Sequence, residues 1–436
     1  MKRLVTVVFA AVLGCWLLSA NALAATEQAK QQAIDDGLAW LASTQSASGE
    51  GYWPYSNSGT LAATGTAALA FIEEGYLPGN DVVIGGTNYG DVVGKAVNYI
   101  FNRAIADSRF TSIGPGGTET AGYTRIAEDY NNDGFLNDGG NNQALYFNPD
   151  SSNRNVYTTG IVAPVVYALG DALGKDTTVG RGPVTSSMTY GQVMQDVVDW
   201  FSWGQVEPDR GIYRGGWRYD ANYSSSDQST AQWGALPMLY ADAWGLGRPD
   251  YVNNELAKWV DYTQNPDGGV GYTNDTSYKN VSKTGGALVE MAAMGYSEGV
   301  NNYDVLGKVG NEVDAALNYI DSRWNNGPSG TWYGNLNHPY AMWAVYKALQ
   351  VYDKLGTNDN GTPLDPADDF LIGFGMPNAP GGFTIGQEWA PKTSLAGDWF
   401  SHYCDYLVNI QNDDGSWNGY SSWTGALASG WYINIL

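Results

Sequence analysis

Residues 256–272 read LAKWVDYTQNPDGGVGY, with residue types in an order that recurs elsewhere in the chain. An apolar helical stripe ends at Gln264, a polar glycine turn follows, and an aromatic residue closes the segment. The same order recurs at 37–53 (GLAWLASTQSASGEGYW) and at 404–417 (CDYLVNIQNDDGSW). Because self-similarity of this kind marks a repeat architecture, we predict one helical unit that returns along the chain.

A second apolar segment, rich in small residues, follows each of these turns. Such segments share two adjacent small residues near their start, which we call the small pair. The pairs are Thr64-Gly65, Thr159-Gly160, Thr230-Ala231, Thr284-Gly285, Thr424-Gly425 and, more loosely, Tyr340-Ala341. Six first helices precede them, near 33–45, 92–104, 193–205, 252–264, 312–323 and 399–411, with apolar residues at helical spacing. Period-two alternation is scarce, which predicts few strands.

The two kinds of helix differ in the surface that they present. The second helices are dense in Ala and Gly, which lets backbones approach, whereas the first helices keep a charged face. We therefore predict an all-α chain, an α/α toroid of about six helix pairs with the second helices as the inner ring and the first helices as the outer ring. We expect a single domain over 25–436, with loop inserts near 105–155 and 357–395.

The first residues predict export. Lys2 and Arg3 precede an apolar run, and Ala22-Leu23-Ala24 fits a signal-peptidase site, so we assign 1–24 as a signal peptide. The mature chain would be secreted or periplasmic. Lipoprotein anchoring at Cys15 is the alternative, and no later stretch is expected to span a membrane.

Charge and cysteine content exclude several classes of partner and cofactor. The chain has 45 acidic against 22 basic residues, for a net charge of -23, which disfavours nucleic acid as a partner. Cys404 is the only cysteine beyond the signal peptide, and His338 and His402 are the only histidines. So small a ligand set leads us to expect no zinc.

The Gln, Gly-x-aromatic spacing resembles the QW repeat of squalene cyclases, in a family that also includes the protein prenyltransferases. The stretches 215–219 (GGWRY) and 227–231 (DQSTA) are similar to that wider family. The resemblance covers about residues 30–436 and implies an α/α toroid with a ligand cavity where turns lead into inner helices.

The catalytic patterns of that family are missing from the matching positions. Where cyclases carry an Asp-x-Asp-Asp-Thr-Ala acid motif, residues 226–231 read SDQSTA, so Ser226, Gln228 and Ser229 replace the acids. Where prenyltransferases carry an Asp-x-Cys zinc motif, Asp227 is followed by Ser229. The resemblance therefore implies the fold without either family reaction.

A set of polar and aromatic residues at the predicted inner-helix starts forms the candidate ligand site. Aromatic rims with scattered polar groups suit sugars or long apolar ligands. The alternative is structural: the aromatics pack the turns, Asp227 and His338 cap helices, and Arg218 pairs with a carboxylate. The candidates are Asp227, His338, Arg218, Trp217, Tyr219, Lys283, Tyr340, Trp332 and Trp423.

An acidic loop in the first predicted insert resembles a calcium loop. Its oxygen donors alternate along 129–138, and Gly134 permits the sharp turn. It departs from the EF-hand pattern because Gly140 stands where a bidentate acid belongs. The predicted ligands are Asp129, Asn131, Asp133, Phe135 and Asp138, and 358–368 is a fainter second loop. The alternative is a solvated Asn/Gly turn.

These observations leave three hypotheses. The leading one is an exported toroid that binds an unknown small ligand, a sugar or a lipid, without family chemistry. The first alternative is an extracellular carbohydrate-active enzyme, either a polysaccharide lyase or a glycosidase, and the second is an interaction scaffold stiffened by calcium. Whether any reaction is catalysed stays open at this point.

Overall fold

The protein is described by a computed structural model that covers 25–55, 59–109, 118–119, 123–124, 144–148, 154–302, 306–352 and 399–436. Helices dominate these residues, so the all-α prediction is confirmed. Every predicted first helix and second segment coincides with a helix. The helices are α1 Glu27–Thr44, α2 Thr60–Glu73, α3 Tyr89–Phe101, α4 Asn155–Leu173, α5 Tyr190–Gly204, α6 Gln228–Ala243, α7 Asp250–Thr263, α8 Val281–Ala293, α9 Glu312–Asp321, α10 Pro339–Val351, α11 Trp399–Ile410 and α12 Gly425–Ile433, with a 3-10 helix at Pro208–Tyr213.

The strands are short and form three antiparallel pairs. The pairs are β1 Val83–Ile84 with β2 Thr87–Asn88, β3 Ala104–Ala106 with β6 Leu145–Phe147, and β4 Thr118–Glu119 with β5 Tyr123–Thr124. The β3–β6 pair, in which Ala104 faces Phe147, brings together the two ends of the first predicted insert. Most of that insert, and all of 357–395, lies outside the described residues.

Most odd-numbered helices bury a smaller share of their residues than the even-numbered helices do, but α5 is an exception and buries all of its residues except Gln192. All residues of α8 and α10 are buried, and α2 buries all but its two ends. By contrast, α1 buries one stripe, which includes Leu38 and Leu41, and leaves Asp35 and Asp36 exposed. The even-numbered helices and α5 therefore supply much of the core, and the other odd-numbered helices each keep exposed residues.

The even-numbered helices pack in chain order. Helix α2 packs against α4, α4 against α6, α6 against α8, α8 against α10, α10 against α12, and α12 packs against α2. Glycines allow these backbones to approach. A Cβ on Gly160 would lie 2.3 Å from the carbonyl oxygen of Trp233 in α6, and one on Gly285 would lie 2.9 Å from the backbone of Ala344 in α10. The small pair therefore marks the contact between successive even-numbered helices.

The glutamine that ends a first helix joins two repeats. Gln205 Nε2 donates to the carbonyl oxygens of Gly215 in its own turn (2.7 Å) and of Val252 in α7 (3.0 Å). Gln264 likewise donates to Glu312 of α9 (2.8 Å). At the end of α11, Gln411 donates to Ala33 of α1 (2.8 Å), which connects the last repeat to the first.

The predicted position of the small pair in the last repeat, at Thr424-Gly425, is wrong. The Oγ of Ser429 accepts the backbone N–H of Trp417 (3.2 Å), as Thr64 Oγ1 does for Trp53 (3.2 Å). A Cβ on the next residue, Gly430, would lie 2.8 Å from the backbone of Thr66 in α2. The pair at the helix contact is thus Ser429-Gly430, one turn later, because Thr424 is the N-cap of α12.

Helix α4 is the most apolar long helix of the described residues. With 19 residues and a mean hydropathy of 1.4 over its apolar window, it is long and apolar enough to cross a membrane by length and composition. That no stretch after the signal peptide spans a membrane stays a prediction. Of that window, 72% is buried inside the protein, and core helices of soluble proteins meet the same criterion.

Candidate functional site

The N-terminal ends of α6, α8 and α10 bring the polar candidates together. Asp227, Asn280 and His338 are the N-caps of these helices, each accepting a backbone N–H from the first turn. Such caps satisfy donors that a helix start leaves open. We call Arg218, Asp227, Tyr272, Lys283 and Trp332 the rim site.

Asp227 lies at the bottom of the rim site and is fully buried. Its Oδ1 accepts from Ser229 Oγ (2.6 Å) and from the Thr230 N–H (3.1 Å). Its Oδ2 accepts from the Tyr272 hydroxyl (3.2 Å) and lies 3.3 Å from Arg218 Nε. Burial raises the pKa of Asp227, and these hydrogen bonds and the Arg218 charge oppose that shift. The predicted cap and ion pair are therefore both present.

Arg218 spans the space between Asp227 and a group of tyrosines. Its Nη1 donates to Ser225 Oγ (3.0 Å). Its guanidinium carbon lies 5.4 Å from the ring centroid of Tyr219 and 5.7 Å from that of Tyr223. A cation at this distance from a ring face is attracted by the ring. The carboxylate of Asp227 and the rings of Tyr219 and Tyr223 therefore hold the guanidinium of Arg218 in place.

Tyr272 stands at the wall of the rim site. Burial raises the pKa of its hydroxyl, and the negative charge of Asp227 raises it further. The hydroxyl therefore stays protonated and donates to Asp227. A tyrosine in this state serves as a donor rather than as a base.

Lys283, on the first turn of α8, is 2% exposed. Its Nζ lies 5.6 Å from the ring centroid of Tyr272 and 5.5 Å from that of Trp332. Burial lowers the pKa of Lys283 to about 8, and the Asp227 charge opposes the shift. Over the described residues the ammonium makes neither a hydrogen bond nor an ion pair. In the rim site, Arg218 Nε is likewise without a hydrogen bond, although it lies beside Asp227.

His338 is fully buried and uses both ring nitrogens. Nδ1 accepts the Ala341 N–H (3.3 Å), and Nε2 lies 3.3 Å from the Thr331 carbonyl oxygen, to which it donates. Burial lowers its pKa to about 4, so the ring is neutral at pH 7. The sequence alternative of a capping role is thus realised, and the described contacts of His338 do not include Asp227.

The aromatic candidates separate into exposed and buried groups. Trp332 is 41% exposed, and its ring packs against Trp423 with centroids 5.6 Å apart. Tyr340 is 5% exposed, and its hydroxyl accepts from Gln232 Nε2 (2.7 Å) and Trp233 Nε1 (3.0 Å). Only the first group is available to a ligand at the rim.

Trp217 is not a ligand contact. It is fully buried, and its Nε1 donates to the Phe201 carbonyl oxygen in α5 (2.8 Å). Trp53 and Trp417 do the same to Leu41 (2.8 Å) and Leu407 (2.9 Å). This repeated bond fixes each turn to the preceding helix, which is the structural role given above as the alternative.

Below the rim site, aromatic side chains from α6, α10 and α12 meet. Trp233 of α6 stacks on Trp431 of α12 with centroids 6.4 Å apart, and Trp343 of α10 stacks on the same ring at 6.4 Å. Lys347 Nζ lies 4.0 Å from the Trp233 ring centroid and donates to Gln232 (3.2 Å). These side chains occupy the space beneath the rim.

Sequence reasoning missed the strained residues around the rim. Tyr219 has a φ of 37° and Tyr278 a φ of 45°, in the left-handed region that bulky residues rarely adopt. Such strain concentrates at functional sites. Tyr278 is 57% exposed and packs edge-on against Tyr272 with centroids 6.4 Å apart. No sequence signal marks an aromatic residue at a positive φ.

The predicted calcium ligands lie outside the described residues, as does the fainter loop at 358–368. The described part of the chain contains no cluster of three or more His, Cys, Asp or Glu side chains able to hold a metal. Cys404 is buried in α11, and His402 Nδ1 accepts from Trp324 Nε1 (2.7 Å). Comparison with known proteins gave no match to any protein-family model and none to a curated protein.

Proposed function

We propose that the mature chain is an exported α/α toroid of six helix pairs that binds a carbohydrate at the rim site. The export part rests on the signal-peptide pattern of 1–24. The carbohydrate part rests on one observation: partly exposed aromatic rings lie beside a buried lysine and a buried aspartate at the starts of two helices. Sugars are bound by such a combination of ring faces and fixed polar groups.

Two observations support ring closure. The packing order of the even-numbered helices returns from α12 to α2. The glutamine bond that joins successive repeats also joins the last to the first, through Gln411 and Ala33. An open solenoid has two free ends, so it would lack both contacts.

A sugar fits these observations better than a lipid does. A long apolar chain needs a deep apolar cavity, but Trp233, Trp343 and Trp431 meet beneath the rim. A sugar needs only a shallow surface with a ring face and hydrogen-bonding groups. Trp332 offers the ring face, and Lys283 and Arg218 offer donors.

The state of the candidate acids and bases supports binding over catalysis. A general base needs a free lone pair within hydrogen-bond reach of its substrate. His338 uses both nitrogens, and Asp227 accepts three hydrogen bonds and lies beside Arg218. The carbohydrate-active enzyme remains the alternative, and it needs a different base.

The test is glycan binding by wild type and Trp332→Ala. We expect the variant to bind an oligosaccharide about tenfold more weakly or worse, because it loses the exposed ring face. Trp40→Ala is the matched control, since Trp40 is a partly exposed tryptophan on α1, away from the rim site. Calorimetry against an array of neutral and acidic oligosaccharides gives the affinities, and denaturation checks that both variants fold.

Three results would contradict the proposal. The first is a complete absence of glycan binding, and the second is equal affinity in wild type and Trp332→Ala. The third is turnover of a bound polysaccharide, which would favour the enzyme alternative. Product formed from a polyprene would show that the cyclase and prenyltransferase reactions were dismissed wrongly.

We propose in addition that the loop at 129–138 binds calcium and stiffens the first insert. The described N-terminal end of that insert is held by Arg109, which donates to Asp107 and Asp220. The expected affinity is weak, as in extracellular modules, about 10⁻⁴–10⁻³ M. Calorimetry with calcium should show heat for wild type and for Asp36→Ala, an exposed acid on α1, but not for Asp133→Ala. Equal heat in all three proteins, or none in wild type, would exclude this site.

A further inference from the structure

We infer that the rim site selects a carbohydrate that carries a carboxylate, and that the ammonium of Lys283 binds this group. The inference rests on the proposed function, because it names the class of sugar that the same site takes. It goes further in that it predicts discrimination by charge, whereas stacking on an aromatic ring alone would accept neutral and acidic sugars alike.

Over the described residues, the ammonium of Lys283 has no hydrogen-bond acceptor. Lys283 is 2% exposed, and an ammonium has three donors. The backbone N–H of Lys283 is capped by Asn280 (3.1 Å), but over the described residues the ammonium meets only ring faces. An ammonium on a buried side chain with no protein acceptor is poorly stabilised, and a bound anion would supply the missing acceptor.

The ammonium of Lys283 is positioned by its neighbours before a ligand binds. The rings of Tyr272 and Trp332 lie at nearly equal distances from Nζ, 5.6 Å and 5.5 Å. A ring face attracts a cation but offers no lone pair in place of an oxygen. The stem of Lys283 is enclosed in α8, so little side-chain freedom is left to lose on binding.

The net charge of the rim site also favours an anionic ligand. Arg218 and Lys283 are positive and Asp227 is negative, while His338 is neutral at pH 7 because its pKa is lowered to about 4. The rim site thus has one positive charge in excess, in a chain whose net charge is -23. A ligand with one anionic group at this point neutralises the site, and a cationic ligand is repelled.

The aromatic ring of Trp332 and the ammonium of Lys283 are neighbours, so one ligand can contact both. Trp332 is 41% exposed, and Lys283 Nζ lies 5.5 Å from the centroid of its ring. A sugar ring that packs against the exposed part of Trp332 would therefore lie close to the ammonium, and a substituent of that sugar could reach it. On a pyranose, the carboxylate of a uronic acid is such a substituent.

The experiment measures the preference for acidic over neutral sugars. Oligomers of galacturonate, glucuronate and mannuronate are titrated by calorimetry beside their fully methyl-esterified forms, which have the same shape without the charge. Sulfated and phosphorylated oligosaccharides form a further arm, because sulfate and phosphate could use the same ammonium. We expect wild type to bind at least one uronate oligomer about tenfold more tightly than its ester.

Lys283→Met is the decisive variant, because it keeps the length of the stem and removes the charge. We expect it to lose this tenfold preference while it binds the ester as wild type does. Lys283→Arg should retain the preference. Lys279→Met is the matched control. Lys279 precedes α8 and forms an ion pair with Asp267 (2.6 Å), so loss of its charge should leave the preference for acidic sugars unchanged.

Each other outcome contradicts the inference in a recognisable way. If wild type binds uronates and esters equally, and Trp332→Ala weakens both, the proposed function stands and the inference fails. If Lys283→Met keeps the preference, another cation selects the charge. If only sulfated or phosphorylated sugars bind, the anion was assigned wrongly. If no sugar binds, both proposals fail.

Discussion

At the scale of single residues, the histidine that sequence analysis singled out is a structural cap with a measurable pH signature. His338 is neutral and buried in the folded protein, and its pKa is lowered to about 4, against about 6.5 for a free side chain. Between these values the unfolded chain binds a proton that the folded chain does not. The free energy of unfolding therefore falls as the pH drops from about 6.5 to 4.

His338→Asn tests this prediction, because asparagine also caps helices but does not titrate. Over that pH window we expect the variant to lose less stability than wild type, by on the order of 3 kcal/mol. Urea denaturation at several pH values supplies the comparison. Curves that run parallel from pH 6.5 to 4 would mean that His338 is protonated in the folded protein.

The residue scale is also where prediction from sequence was weakest. Asp227, Lys283 and Trp332 could be named as candidates, because they stand near predicted helix starts. Which of them is satisfied depends on partners distant in the chain: Asp227 needs Tyr272, 45 residues later. Lys283 is distinguished by the acceptor that it lacks, and a sequence does not record a missing contact. Tyr278 was missed because its backbone strain has no sequence signal.

At the scale of helices, the small pair controls how closely successive even-numbered helices pack. A Cβ on Gly160 would lie 2.3 Å from a backbone oxygen of α6, which no side-chain motion relieves. Gly160→Ala should therefore lower the free energy of unfolding by about 1–3 kcal/mol or more. Gly94 in α3 is the control: it is helical, and a Cβ there meets nothing within 4 Å.

The same substitution should have opposite signs at the two sites. Gly94→Ala should stabilise the protein by about 0.5–1 kcal/mol, because alanine loses less backbone entropy in a helix. Thermal or urea unfolding of both variants measures the difference. Equal effects would show that the contact between α4 and α6 is looser than described.

Helices were predictable from sequence because their signal is local. The apolar spacing placed all six first helices, and the small pairs identified five of the second helices at the correct turn. The sixth pair was displaced because Thr424-Gly425 has the same composition as a true pair but stands at the cap of α12. Ser429-Gly430 makes the contact, and only its neighbours in α2 reveal this.

For the whole molecule, the glutamine of the repeat connects neighbouring repeats. Where a glutamine ends a first helix, its amide joins its own turn to the next odd-numbered helix, as Gln205 and Gln264 do. Gln411 makes the same bond to Ala33, across nearly the whole chain. The motif was visible in the sequence as a spacing, but its partner was not, because that partner lies in the following repeat.

The central claim is that a closed toroid offers its ligand a shallow rim site. Amide hydrogen exchange with and without a bound uronate oligomer tests it most directly, because protection reports where along the chain the ligand binds. We predict slower exchange in the peptides over 216–230, 270–284 and 330–340, and unchanged exchange in α1, α3 and α5. Protection confined to the odd-numbered helices or to the insert at 110–143 would contradict the claim.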